Sequence, residues 1–264
     1  MMEFRPKKRL SQNFLIDKNI ARKIVSIADP CKEDVIIEIG PGTGILTHEL
    51  VNLCKKLICI ELDKGLSERL GQRFSHATNI EVITADALKV SFLELAKGFD
   101  KPFKLVSNLP YHISGPMLAK LLEERKAFSI MVLMFQKELA KRITAGPGSK
   151  DYSPLSILTD VYTDASIERI VPARVFMPVP KVDSAVIRLT VLKRPSIEIQ
   201  DEDRFKRLLK AAFSTRRKTI RNSLSSLGIS REDITCALDK AGIAPCQRAE
   251  TISAQGFARL LRAL

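Results

Sequence analysis

A β-branched run, Val35-Ile36-Ile37-Glu38-Ile39, leads without a break into Gly40-Pro41-Gly42-Thr43-Gly44, and Leu46, Leu50 and Leu53 follow at helical spacing. Strand, glycine turn and helix in that order open a doubly wound α/β sheet. Glycine lets the backbone bend with φ > 0 and leaves room for a ligand where a Cβ would stand. The spacing is GxGxG rather than the GxGxxG of dinucleotide-binding folds, and the Lys-Ser/Thr of a P-loop is absent, so a pyrophosphate is not the expected guest. Many strand-to-helix turns hold two glycines for steric reasons alone, so the other strand ends must decide what this one does.

Three more apolar runs end in polar groups. Leu57 to Ile60 ends in Glu61-Leu62-Asp63, Ile80 to Ile83 in Thr84-Ala85-Asp86-Ala87, and Phe103 to Ser107 in Asn108-Leu109-Pro110-Tyr111. An acid at the end of the second strand faces the glycine turn, where its two oxygens can accept both ribose hydroxyl protons. Asp86 is placed to accept from an adenine amino group. Each acid taken alone reads equally well as a solvated strand end; at successive strand ends they describe a nucleoside cleft. The tetrad at residues 108–111 joins an amide, a rigid proline and an aromatic ring, which suits holding a flat base by its edge and its face.

The pattern continues with a helix over Pro116–Glu124, a fifth strand over Ile130–Phe135 and a helix over Gln136–Thr144. A loop at Gly146–Asp151, a candidate substrate-side segment, precedes a helix over Pro154–Tyr162 and a strand over Ser166–Ile170. In Phe176-Met177-Pro178-Val179-Pro180, prolines at alternate positions hold a stiff, extended loop and fix Phe176, either as a core anchor or as a second stacking face. Val186–Leu192 alternates as a final strand. Helices dominate from Asp201 onward. The architecture expected is a Rossmann-like α/β domain over residues 1–194 and a small all-helical domain over 195–264.

Charge narrows the partner. The 43 Lys and Arg against 30 Asp and Glu give a net charge of +13, which favours a polyanion over an acidic small molecule. Lys7, Lys8 and Arg9 form one cationic patch, and Arg216, Arg217, Lys218 and Arg221 place four cations within six residues of the helical part. Cations at a helix start oppose its dipole, a cost that phosphate would offset. After the first patch, Phe14, Leu15 and Ile16 should pack back onto the body and fix Gln12 and Asn13 there. The five cysteines form no CxxC pair and the three histidines do not cluster with them, which argues against a zinc site and for a reducing compartment. With no 18-residue apolar stretch, the expectation is a cytoplasmic monomer with neither membrane nor metal partner.

Taken in order, these segments resemble the ribosomal RNA adenine dimethyltransferase family of S-adenosylmethionine-dependent enzymes. The likeness spans essentially the whole chain. It runs through Ser11-Gln12-Asn13-Phe14-Leu15, Glu38 to Gly44, Glu61, Asp86-Ala87, the tetrad at 108–111, Phe176 to Ala185, and Ala212-Phe213-Ser214-Thr215-Arg216-Arg217-Lys218. The resemblance implies that Asn13 and Leu15 cover the cofactor, that Gly40 and Gly42 receive its methionine part, that Glu61 binds its ribose, and that Asp86 and Ala87 bind its adenine. Asn108 would touch both cofactor and target, with Leu109, Pro110, Tyr111 and Phe176 completing the catalytic pocket. The branch that acts on small-subunit rRNA looks closer than the one that acts on the large subunit. His112, where bacterial members often carry asparagine, is the visible departure. The implied partner is small-subunit rRNA or the immature small subunit, with a large-subunit methyltransferase and a non-catalytic RNA-binding assembly factor as the alternatives.

Overall fold

The computed structural model describes residues 13–215 and 217–264, which form two compact units. The patch at Lys7, Lys8 and Arg9, together with Gln12 and Arg216, lies outside the described residues. The first unit comprises the chain through Ala140 together with Asp164–Val191. It begins with β1 (Phe14–Leu15), α1 (Lys18–Ile27), β2 (Val35–Ile39), α2 (Ile45–Leu50), β3 (Lys56–Glu61), α3 (Lys64–Arg73), β4 (Ile80–Thr84), α4 (Phe92–Ala96), β5 (Phe103–Asn108), α5 (Ser114–Glu123) and β6 (Phe128–Gln136). Next in the chain are α6 (Lys137–Ile143) and α7 (Pro154–Tyr162), followed by β7 (Thr163–Val171), β8 (Phe176–Met177) and β9 (Ser184–Val191).

Seven strands form one sheet in the order β4-β3-β2-β5-β6-β9-β7. Strands β2 to β6 run parallel, and β9 pairs antiparallel with β6. Every residue of β2 is buried, as a central parallel strand covered on both faces requires. Because β2 pairs with β3 on one side and with β5 on the other, the chain reverses its winding direction there. Such a switch point leaves a crevice at the carboxyl ends of the two strands, where open α/β sheets bind ligands.

A second sheet consists only of β1 and β8, paired antiparallel with Phe14 opposite Met177 and Leu15 opposite Phe176. The Ile16 N–H donates to the Val175 carbonyl at 2.9 Å and extends the pairing. Leu15 and Phe176 both pack in the buried cluster of Ile24, Ile36, Val106, Val132 and Val186. Asp17 then caps α1 by accepting from Asn19 and Ile20 N–H. The expected packing of Phe14 and Leu15 onto the body is met; Ile16 instead stays 55% exposed.

The second unit comprises Lys141–Thr163 and Leu192–Leu264. It contains α7, α8 (Glu202–Ala212), α9 (Ile220–Leu224), α10 (Arg231–Lys240) and α11 (Ala254–Ala263). Tyr152, Ile157, Val161 and Tyr162 share one core with Phe205, Leu209, Leu224, Leu238 and Phe257. The helical unit therefore starts near residue 141 rather than at 195, interrupted by the two strands that return to the sheet. Arg217 and Lys218 are exposed on the turn before α9, and Arg221 is half-buried within it. Helix α9 ends at Leu224, with a 3-10 turn to Leu227 and Gly228 at φ 73° closing it.

Candidate functional site

One cleft opens at the switch point, and its wall is built from strand ends. Asn13, Leu15, Gly40, Gly42, Glu61, Asp86, Ala87 and Asn108 line it, and so do Leu109, Pro110 and Tyr111. These eleven residues come from five separate stretches of sequence, and the fold brings all of them to one place.

The glycine turn forms the floor. Gly40 and Gly42 have φ of +64° and +58°, a region that side chains rarely enter. A Cβ on Gly42 would lie 2.9 Å from two ring carbons of Phe14, so β1 lies directly against the turn. A Cβ on Gly40 would meet Pro110 at 3.5 Å, which joins the turn to the 108–111 tetrad. The Gly40 N–H donates to the Ile60 carbonyl at 2.8 Å, and Ser107 Oγ to the Ile39 carbonyl at 2.5 Å, locking the three central strand ends together.

Glu61 ends β3 and is 6% exposed. Its Oε2 accepts from Gly42 N–H at 3.2 Å and its Oε1 from Asp63 N–H at 2.9 Å, so the carboxylate is aimed before any ligand arrives. Burial moves its pKa up and these backbone donors oppose the move. At the end of β4, Asp86 Oδ1 accepts from Leu88 N–H at 3.0 Å. Across the switch point, the Asn108 amide nitrogen donates to the Asn13 carbonyl at 3.2 Å. Among the described residues, nothing donates to Asn108 Oδ1 or to the Leu109 carbonyl. Tyr111 shares a 2.8 Å hydrogen bond between its hydroxyl and Ser184 Oγ, and burial raises its pKa.

Phe176 takes a different place from the one the resemblance gives it. It is 1% exposed, packed in the sheet core, and absent from the cleft wall. Pairing with Leu15 turns the ring inward, so it serves as the core anchor of the two roles considered. Its neighbours Met177 and Val179 are 63% and 66% exposed. The cleft also recruits residues the sequence argument did not single out, chiefly Glu38 and Phe14. The signal for Glu38 was present as a lone acid inside a β-branched run; no local pattern marked Phe14 as a cover for Gly42. Among the described residues, the acids Glu38, Glu61 and Asp86 line the cleft, with no lysine or arginine beside them.

Acidic strand ends and open glycine backbone, with no cationic side chain among the described residues of the wall, fit a nucleoside that carries positive charge. They do not fit a polyphosphate. Fold and site together define a Rossmann-like, S-adenosylmethionine-dependent methyltransferase. More particularly, the chain belongs to the ribosomal RNA adenine dimethylase family, whose model matches residues 3–264. It is 44% identical to the ribosomal RNA small subunit methyltransferase A of Pelotomaculum thermopropionicum, over 97% of this chain and 90% of that one. It is 43% identical to the protein of the same name from Geobacter metallireducens, over 98% and 96%. Among solved structures, a dimethyladenosine transferase from Plasmodium falciparum superposes with a TM-score of 0.77 at 29% identity, covering 94% of this chain and 95% of that one. The 23S rRNA methyltransferase ErmE superposes with a TM-score of 0.72 at 28% identity, covering 96% and 99%.

Proposed function

We propose that the protein transfers methyl groups from S-adenosylmethionine to the exocyclic N6 amines of two adjacent adenines near the 3′ end of small-subunit rRNA, during assembly of that subunit in the cytoplasm. The observation that carries the chemistry is the tie between the Asn108 amide nitrogen and Asn13. It commits the amide nitrogen, and we take the remaining Oδ1 and the Leu109 carbonyl, both on residues that line the cleft, as the two acceptors for the amine.

An adenine amine is a weak nucleophile because its lone pair is delocalised into the ring. Two acceptors that take its two N–H groups draw the nitrogen toward a tetrahedral geometry and return the lone pair to it. The Pro110 carbonyl is already occupied by Ile113 N–H and Ser114 Oγ, each at 3.1 Å, which leaves the Leu109 carbonyl as the second acceptor. Tyr111, steadied by Ser184, offers one stacking face, and base stacking contributes about 1–3 kcal/mol. Phe176 acts indirectly, by anchoring β8 against β1. S-adenosylmethionine, when bound, supplies the electrophilic methyl group. Glu61 holds the ribose hydroxyls, Asp86 and Ala87 the adenine, Gly40 and Gly42 the methionine part, with Asn13 and Leu15 above. Positioning and fixed dipoles then supply most of the acceleration. Arg217, Lys218 and Arg221, with the cations at positions 7–9 and 216, hold RNA phosphates.

The higher identity to small-subunit relatives supports the small subunit as the acceptor. Purified protein with methyl-labelled cofactor should label adenine N6 in undermethylated small subunits and not in large-subunit RNA. Absence of label from small-subunit adenine would overturn the assignment.

A further inference from the structure

Glu38 is 1% exposed and still lines the cleft. Two donors converge on one of its oxygens: Thr47 Oγ1 at 2.7 Å and the Cys59 thiol at 3.8 Å both donate to Oε2. A proton carried by this acid therefore belongs on Oε1. Among the described residues, the groups that act on it are Thr47 from α2 and Cys59 and Glu61 from β3. None of them is a cation. A carboxylate here loses the solvation of water and gains no counter-charge. Burial first, and the charge of Glu61 in smaller part, push its pKa up to about 7, against the opposing bonds from Thr47 and Cys59.

We propose that Glu38 carries a proton in the free cleft and releases it to solvent when the cationic cofactor enters, so that it senses the charge that distinguishes methyl donor from spent product. The proposal rests on the cofactor occupying this cleft. In the step, the carboxylic O–H bond breaks, the proton passes to bulk buffer, and the carboxylate that remains faces a ligand one positive charge richer than the thioether product. The sign follows from linkage. Below about pH 7 the acid must give up its proton to meet the cation, so affinity should fall by about tenfold for each pH unit below that point and level off above it. The product, neutral at sulfur, gives the carboxylate less reason to ionise and should show a shallower dependence.

The test is titration calorimetry of the full chain with S-adenosylmethionine and with S-adenosylhomocysteine, at pH 6 and pH 8, in buffers that differ in ionisation heat. Close to one proton should be released per methyl donor at pH 6, close to none at pH 8, and less with the thioether. Glu38→Gln cannot titrate and should abolish the release at pH 6 and narrow the preference for donor over product. Glu61→Gln should weaken binding and, by removing a charge that raises the Glu38 pKa, move the midpoint of release to lower pH without abolishing release. Thr47→Val removes a donor to the carboxylate and should move the midpoint of release to higher pH, a readout that decides the matter even where Glu38→Gln fails to fold. Release of equal size in Glu38→Gln, an unmoved midpoint in Thr47→Val, or binding by the unaltered protein at pH 6 without release would overturn the proposal. Failure of either compound to bind at both pH values would instead overturn the placement of the cofactor in this cleft.

Discussion

Glu61 and Asn108 stand at strand ends on opposite sides of one glycine turn and are held in opposite ways. Both Glu61 oxygens already accept backbone N–H groups, so the carboxylate is aimed and its environment partly fixed. Asn108 is tethered by its nitrogen, and its oxygen has no donor among the described residues. A group whose acceptors are already engaged suits binding a ligand that changes little through the reaction. A tethered group with an open acceptor suits bonding that strengthens as a nucleophile forms, because only interactions stronger in the transition state raise the rate. One half of the cleft is therefore built for affinity and the other for rate.

The sharpest way to break that division is Asn108→Ala. It should lower kcat by about 10²–10³-fold, the size seen when one preorganised hydrogen-bonding group is removed, with RNA binding retained. Single-turnover assays beside filter binding would measure both, and a change confined to KM would abolish the contrast. Glu61→Gln should do the reverse, raising KM for the cofactor about tenfold or more while kcat stays within a few-fold, since a neutral amide accepts more weakly than a carboxylate. Gly42→Ala touches the floor common to both halves. A side chain at φ +58° with Phe14 ring atoms 2.9 Å away must strain the turn or lift β1, at a cost of about 1–3 kcal/mol. Thermal unfolding would register that cost, and an unaltered melting temperature would show the turn to be more pliant than its packing suggests. Smallest of all, Tyr111→Phe keeps the ring and loses the bond to Ser184. It should reduce stability by about 1 kcal/mol and leave the rate within a few-fold, whereas Tyr111→Ala should weaken binding of the target base.

Much of this cleft was legible from local chemistry. The parallel strands announce themselves as short apolar runs, and each run stops where a polar residue meets the cleft, so Glu61, Asp86 and Asn108 could be located one strand at a time. The two-residue strands β1 and β8 could not, because neither has a pattern of its own and each exists only by pairing with the other. That is also why Phe176 remained ambiguous between core and pocket until its partner Leu15 was known. No helix was anticipated over Lys64–Arg73, where Leu66, Ser67 and Leu70 are the buried positions and the rest is polar. Tyr162 ends the helix expected from Pro154 and Tyr152 lies just before it; which core they join is set by chain topology rather than by periodicity.

The pairing of Phe14 with Met177 gives the binding site a place in time as well as in space. A chain emerging amino terminus first presents the glycine turn, the buried Glu38 and Glu61, and the 108–111 tetrad long before its strand partner for β1 has been made. Contacts between distant segments are slow to form, because loop closure must precede their reward. A nascent chain stopped before residue 176 would thus hold nearly every ligand-facing group of the cleft but no partner strand for its cover. Affinity for the cofactor should switch on only once the strands through Val191 have been made, which couples the capacity to methylate to completion of the sheets rather than of the helices that follow.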